Sequence, residues 1–314
     1  MKVIPIAFDS FGVRSMSTLV MTKDANVYID PGVALGPTRY GLPPTDAEYK
    51  ALEFSRENIM KLCRDFADVV VVTHYHYDHH PFPDDREMYE ACFSGKLVFA
   101  KDRMNNINLS GKNRGRIFEK NVRDIAKSLT WGDGTKAEFG KTMIEFSPAV
   151  WHGDVGSRVG KVIMVYIQEG KNSFLFGSDA QGLADPDALS WFVKKDPDFA
   201  IIDGYPTIFV GWKMKKSNFD ESKIHLKEAL KKTKMKNMIL EHHILRDVNY
   251  KEKMKDVFDT AKKLNKNIKT AAEYYGLDNL FLEAWRKEIT KSERKVDVKK
   301  YYTELSEKIS SMTK

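Results

Sequence analysis

Apolar residues fall in short runs near the start of the chain and in helical spacing soon after. Val3 to Phe8 reads as a first strand and Ser17 to Met21 as a second. Asn26 to Ile29 is a third, closed by the turn signal Asp30-Pro31-Gly32. A Gly- and Pro-rich loop runs from Gly36 to Pro44. Thr45 with Glu48 three residues on predicts a capping box, and Leu52, Ile59, Leu62, Cys63 and Phe66 then recur at helical spacing. Val69 to Thr73 is a continuous β-branched run, the mark of a buried strand. Asp84 and Glu87 are expected to cap a following helix that ends before Gly95.

Beyond Gly95 the pattern is strand-rich. Lys96 to Ala100, Met143 to Phe146, Val162 to Gln168 and Ser173 to Phe176 are expected strands. Asp187 to Lys195 predicts a helix, Phe199 to Ile202 a strand, Asp220 to Lys232 a helix and Met238 to Glu241 a strand. Lys251 to Leu264 predicts a helix and Ile268 to Ala272 a last short strand. From Asn279 the chain is charged and helical. Strands alternate with helices but also follow one another as hairpins. That mixture predicts an α/β fold of two mixed sheets faced by helices rather than a doubly wound sheet. The expected division is a domain over residues 1–278 and a helical extension over 279–314 packed on it.

The chemistry concentrates where the β-branched run ends. His74, His76, Asp78 and His79 follow it at spacing i, i+2, i+4, i+5, in a chain with 8 histidines. Alternation on an extended segment puts His74 and His76 on one side, and a turn brings Asp78 and His79 to the same pocket. Imidazoles and a carboxylate suit zinc, iron or manganese. So many ligand types on one short segment exceed the usual share of a single ion and point to two.

This HxHxDH spacing after an apolar strand resembles the metallo-β-lactamase superfamily. The resemblance continues along most of the chain. Asp30 in Ile29-Asp30-Pro31-Gly32 looks like the first motif, Trp151-His152-Gly153-Asp154 the third, Phe176-Gly177-Ser178-Asp179 the fourth and Leu240-Glu241-His242-His243 the fifth. It implies an αββα sandwich with one metal on His74, His76 and His152. A second metal would sit on Asp78, His79 and His242, with His243 as the alternative to His242, and Asp179 would bridge the two. Asp30 would support the metal loop from behind. The resemblance implies a hydrolase in which hydroxide held by two divalent ions (zinc first, iron or manganese otherwise) attacks an ester or phosphodiester. Asp78 and Asp179 would then stand at the reacting centre. Gly12 to Ser17, with Asp30-Pro31-Gly32 and Glu241 to Asp247, is also similar to an archaeal branch of the superfamily assigned only as predicted hydrolases. A nuclease acting on RNA or DNA and a metal-binding protein without turnover are the alternatives.

Several residues stay outside those motifs. His80 is expected behind the ligands or at the surface. Tyr75 and Tyr77 alternate with the ligands and are expected to pack beneath the site. Asp203 ends a strand and reads as a structural turn, and His225 on a Lys-rich helix reads as exposed. Arg103, Lys112, Arg114 and Arg116 lie with Asn105, Asn106, Asn108 and Gly111 in an expected loop, either gripping phosphate or merely solvated.

Composition adds little. Lys and Arg number 51 against 44 Asp and Glu, so a small-molecule or nucleic-acid phosphate is an acceptable partner, though a Lys-rich surface explains the excess as well. Cys63 and Cys92 form no CxxC motif, which fits a reducing cytoplasm. Met1 to Pro5 is too short an apolar run for a signal peptide, and no segment predicts a membrane span.

Overall fold

The computed structural model describes residues 1–314. Its first sheet contains β1 (Lys2–Phe8), β2 (Met16–Met21), β3 (Val27–Ile29), β4 (Val69–Val72), β5 (Leu97–Ala100) and β6 (Ser128–Trp131), in that spatial order. The first three pair antiparallel, and β3 to β6 run parallel. The chain then enters a second sheet through β7 (Lys136–Phe139) and β8 (Thr142–Phe146). A two-stranded ribbon of β9 (Val150–Trp151) and β10 (Lys161–Val162) comes next. β11 (Val165–Glu169), β12 (Asn172–Phe176), β13 (Phe199–Asp203), β14 (Asn237–Glu241) and β15 (Asn267–Lys269) complete the second sheet, in the order β15-β14-β13-β12-β11-β8-β7.

Side-chain alternation explains why the second sheet sits between two apolar layers. Phe174, Phe176, Ile201 and Ile239 point into the core shared with the first sheet, while Leu175, Ala200, Ile202, Met238 and Leu240 point into a second core. Helices α1 (Asp46–Phe66), α2 (Arg86–Phe93) and α3 (Leu109–Val122) arise between first-sheet strands. The second core is closed by α4 (Pro186–Lys195), α5 (Lys216–Lys232), α6 (Tyr250–Lys253) and α7 (Lys255–Lys263). Helices α8 (Ala271–Tyr275), α9 (Arg286–Thr290) and α10 (Val298–Thr313) end the chain. The architecture is the expected pair of mixed sheets with helices outside. No helix is long and apolar enough to cross a membrane.

Local predictions meet the structure with instructive exceptions. The capping box at Thr45 and Glu48 is present. The next helix is capped by Asp85, which accepts from the Met88 amide, not by Asp84. Val162 to Gln168 is not one strand, because the ribbon ends at Val162 and β11 starts at Val165. Lys251 to Leu264 breaks at Met254 into α6 and α7. Ile268 to Ala272 is a strand only to Lys269. Thr270 and Glu273 form a second capping box there, so Ala272 lies in α8. The basic segment around Arg114 is mostly helix, with Asn108 capping α3 at the Gly111 amide. β6 and β7 went unpredicted because their faces are half exposed and carry no long apolar run.

The extension from residue 279 lies on this body. Leu282, Tyr302 and Leu305 are buried in the same core as β1 and α1. Arg286 is fully buried, donating to Glu48 on α1 and to the carbonyls of Leu42 and Gly36. Removing one partner of such a buried pair costs about 3–5 kcal/mol, so this contact ties α9 firmly to α1.

Candidate metal centre

Residues just past the C-terminal ends of strands from both sheets converge on one cluster. β1 delivers Asp9, β3 Asp30, β4 Thr73 and His74, and β9 His152. β12 delivers Ser178 and Asp179, β13 ends at Asp203, and β14 delivers His242 and His243. Asp30, Ser178 and His242 have left-handed backbones, with φ of 52°, 49° and 61°. A non-glycine residue in that region costs on the order of 1–3 kcal/mol and is held by its surroundings. Gly32 is needed for space instead: a Cβ there would overlap the His80 backbone nitrogen and the His79 carbonyl carbon.

Two adjacent sets of donor atoms stand out, with Asp179 between them. His74, His76, His152 and Asp179 bring ligand atoms within 4.8 Å of one another, and so do Asp78, His79 and His242. Asp179 Oδ2 is 3.0 Å from His152 Nε2 and 3.4 Å from His74 Nε2. Its Oδ1 is 3.1 Å from His79 Nε2, and Oδ2 lies 3.7 Å from His242 Nε2. His76 presents Nδ1, 3.1 Å from His74 Nε2.

Several of these donors are buried without hydrogen-bond partners. Both Asp179 carboxylate oxygens, His79 Nε2 and both ring nitrogens of His152 have none. Each such orphan costs about 1–3 kcal/mol, and cations placed among them satisfy the set together. Nitrogen and carboxylate oxygen donors suit zinc, iron and manganese, so the residues fit a pair of divalent ions.

The electrostatics agree. Burial alone would raise the Asp179 carboxyl, but the imidazoles of His79, His242 and His74 outweigh it and hold the group well below the usual range. Burial would lower His242, yet Asp9 and Asp179 raise it to about 10. Burial and His152 push His76 down to about 3. The pocket thus demands positive charge at a few atoms, which protons or metal ions compete to supply.

A shell of hydrogen bonds aims the imidazoles. His79 Nδ1 lies 2.7 Å from Asp30 Oδ2, while Asp30 Oδ1 accepts from the Thr73 amide at 2.7 Å. The Thr73 hydroxyl also donates to Asp30 and sits 2.6 Å from the Ser178 hydroxyl. His242 Nδ1 lies 2.6 Å from Asp9 Oδ2. A carboxylate on Nδ1 keeps the proton there and leaves Nε2 free to ligate. His243 Nδ1 is instead 2.8 Å from Asp203 Oδ2, and its ring lines the cleft above His152. His242 is the histidine that faces Asp78, at 3.5 Å.

Other expected residues lie differently. His80 is buried among Tyr75, Tyr77 and Phe118, and bonds to none of the ligand side chains. Tyr75 is buried, its hydroxyl donating to the Lys101 carbonyl at 2.5 Å. Tyr77 is half-buried and faces the cleft. Asp203 is no mere turn, since it is fully buried and holds His243. His225 is buried rather than exposed, with Nδ1 2.7 Å from the Leu183 carbonyl. In the basic segment Arg103 pairs with Glu119, Lys112 and Arg116 are exposed, and Arg114 alone reaches the cleft.

Two contributors were not expected from the sequence. Asp9 ends β1 as Asp30 ends β3, and that repeated strand-then-Asp pattern was the available signal. Arg246 had none. It is buried, with Nε 3.2 Å from Asp9 Oδ1 and Nη2 3.8 Å from Asp78 Oδ2. His76, Asp78 and His152 line an open cleft of about 960 Å³, and the other ligands lie beneath it.

No family model matches the chain. Among solved structures it is similar to CmlA, a diiron β-hydroxylase from Streptomyces venezuelae, with a TM-score of 0.52 and 13% identity. That match covers 85% of this chain and 52% of the other, so the chain spans about half the length of CmlA. YhfI from Bacillus subtilis, a metallo-β-lactamase fold protein, has a TM-score of 0.49 at 13% identity, over 86% of this chain and 96% of that one. The two mixed sheets and their flanking helices form the αββα sandwich that the motif resemblance implies, and a His/Asp cluster fit for metal lies at its strand ends.

Within that class the chain belongs to the UPF0282 family. It is 38% identical over 302 residues to a UPF0282 protein of Methanopyrus kandleri, covering 93% of this chain and 100% of the other. A UPF0282 protein of Pyrococcus furiosus is 40% identical over 305 residues, covering 95% and 94%. These relatives are archaeal, as the motif resemblance implied.

Proposed function

We propose that this protein is a metal-dependent hydrolase that cleaves an ester or phosphodiester. One observation carries the reading: the buried Asp179 carboxylate has no hydrogen-bond partner on either oxygen, and imidazole nitrogens of both donor sets surround it beneath a cleft that His76, Asp78 and His152 line. Two divalent ions held by these residues would supply an activated water and a Lewis acid for the attacked group.

The chain's own residues do the positioning. Asp30 and Asp9 keep His79 and His242 in the tautomer that ligates through Nε2. The Thr73 amide and hydroxyl hold Asp30, and the Ser178 hydroxyl meets the Thr73 hydroxyl. Ser178 is thereby occupied, and no side-chain nucleophile is required. Arg246 lies buried between Asp9 and Asp78 and fixes both carboxylates.

The test is metal analysis of protein purified without added metal, followed by turnover of generic ester and phosphodiester substrates. The expected result is bound zinc, iron or manganese, with turnover lost on chelation and restored by metal. His76→Ala should abolish that turnover, and full activity in the variant would refute the site. Bound metal without turnover on any substrate would favour a binding protein. A redox-active di-iron site without hydrolysis would favour chemistry of the kind named for CmlA.

A further inference from the structure

Beside the metal cluster, one wall of the cleft carries an aromatic and cationic stack that the positioning of metals does not use. Tyr77 lies between the ligands His76 and Asp78 in sequence, and its ring stacks on Phe82 with centroids 4.6 Å apart and planes at 24°. The Arg114 guanidinium lies over the Tyr77 ring, 4.6 Å from its centroid. All three side chains line the cleft. Phe82 is 44% exposed, an unusual position for a phenylalanine that ends a stack.

Charge in the cleft is unbalanced in one direction. Arg14 is spoken for by Glu283 and Arg246 by Asp9. Arg114 has only a long 3.4 Å hydrogen bond to the Tyr75 carbonyl and no acidic partner. Lys213 and Lys215 also line the cleft without a carboxylate, Lys213 lying over the exposed Trp212 ring. Asp154, bonded to the neutral Tyr205 hydroxyl and Asn218 amide, and Asp78 are the two carboxylates lining the cleft, against five lining cations. A surface that offers a ring face and unpaired cations together matches a ligand with a planar base and a phosphate. Stacking on aromatic faces with cationic contacts to the backbone is how nucleotides are held without reading their sequence.

We propose that Phe82, backed by Tyr77, forms a nucleobase subsite, so that the substrate is a phosphodiester bearing a base, which stacks on Phe82 while Arg114, Lys213 and Lys215 hold phosphate oxygens. This rests on the hydrolase reading only for placing the scissile bond at the metal cluster. The subsite itself is read by binding.

Binding of AMP, ribose 5-phosphate and adenosine to the full-length protein is measured by calorimetry, with and without chelator. The expected result is AMP bound about tenfold or more tighter than either fragment. Phe82→Leu should bring AMP to the ribose 5-phosphate level and leave ribose 5-phosphate unchanged, whereas Phe82→Trp keeps the advantage. Arg114→Gln should weaken AMP and ribose 5-phosphate alike and leave adenosine unchanged. AMP no tighter than ribose 5-phosphate, or indifferent to Phe82→Leu, overturns the proposal. Equal loss of all three probes in Phe82→Leu also overturns it, since a general collapse of the cleft then explains the variant. Failure of the hydrolase reading looks different: no metal and no turnover, with the AMP advantage and its Phe82 dependence intact.

Discussion

Asp9 and His242 stand 233 positions apart in the chain, yet Oδ2 of one lies 2.6 Å from Nδ1 of the other. The same carboxylate reaches Arg246 through its other oxygen, at 3.2 Å. Asp9 thus sets the ring of a candidate ligand and a buried guanidinium at once. Asp9→Ala should lower metal affinity at the His242 side about 10–100-fold, the usual cost of losing such a partner. Asp9→Asn, which still accepts through oxygen, should lose less. Metal content after dialysis against a weak chelator reads the effect, and an unchanged content in Asp9→Ala would contradict it.

The adjacent histidines give a sharper contrast. His242 faces Asp78 and Asp179, while His243 is turned by Asp203 toward the cleft. His242→Ala should lose about one metal per chain, and His243→Ala should retain both while changing KM. The reverse pattern would exchange their roles.

Gly32 is a steric prediction. Its Cα lies against the backbone of His79 and His80, and a methyl group has nowhere to go. Gly32→Ala should destabilise the fold by about 1–3 kcal/mol, the cost of overpacking. It should also reduce metal content, because the loop carrying His79 must move. Urea denaturation with metal analysis checks both. Wild-type values for both would mean that the loop yields freely.

Glu283 sets an acid dependence. Burial would raise its carboxyl, but the Arg14 guanidinium, paired through two 2.7 Å contacts, holds it at about 2 against an ordinary 4.5. The stabilisation is therefore complete above about pH 4.5 and is lost as pH falls toward 2. It amounts to at most about 3 kcal/mol. Glu283→Gln should flatten the pH dependence of unfolding in that window. An identical acid profile in the variant would show that the pair contributes nothing there.

The sequence alone determined the local facts. The β-branched run ending at Thr73, the capping box at Thr45 and the ligand spacing from His74 to His79 depend on residues close in the chain, so period and turn chemistry reveal them. His152, Asp179 and His242 were legible only through motif resemblance, since no local rule links residues so far apart. Their assembly was decided by sheet order: β4, β12 and β14 all end at one edge of the sandwich, which brings their next residues together. The partnership of Asp9 with His242, that of Asp203 with His243 and the burial of His225 depend on side-chain direction after packing. So does the stack of Arg114 on Tyr77 and Phe82. The left-handed backbone of His242 redirects the chain into His243, and only tertiary contacts hold a non-glycine residue in that conformation.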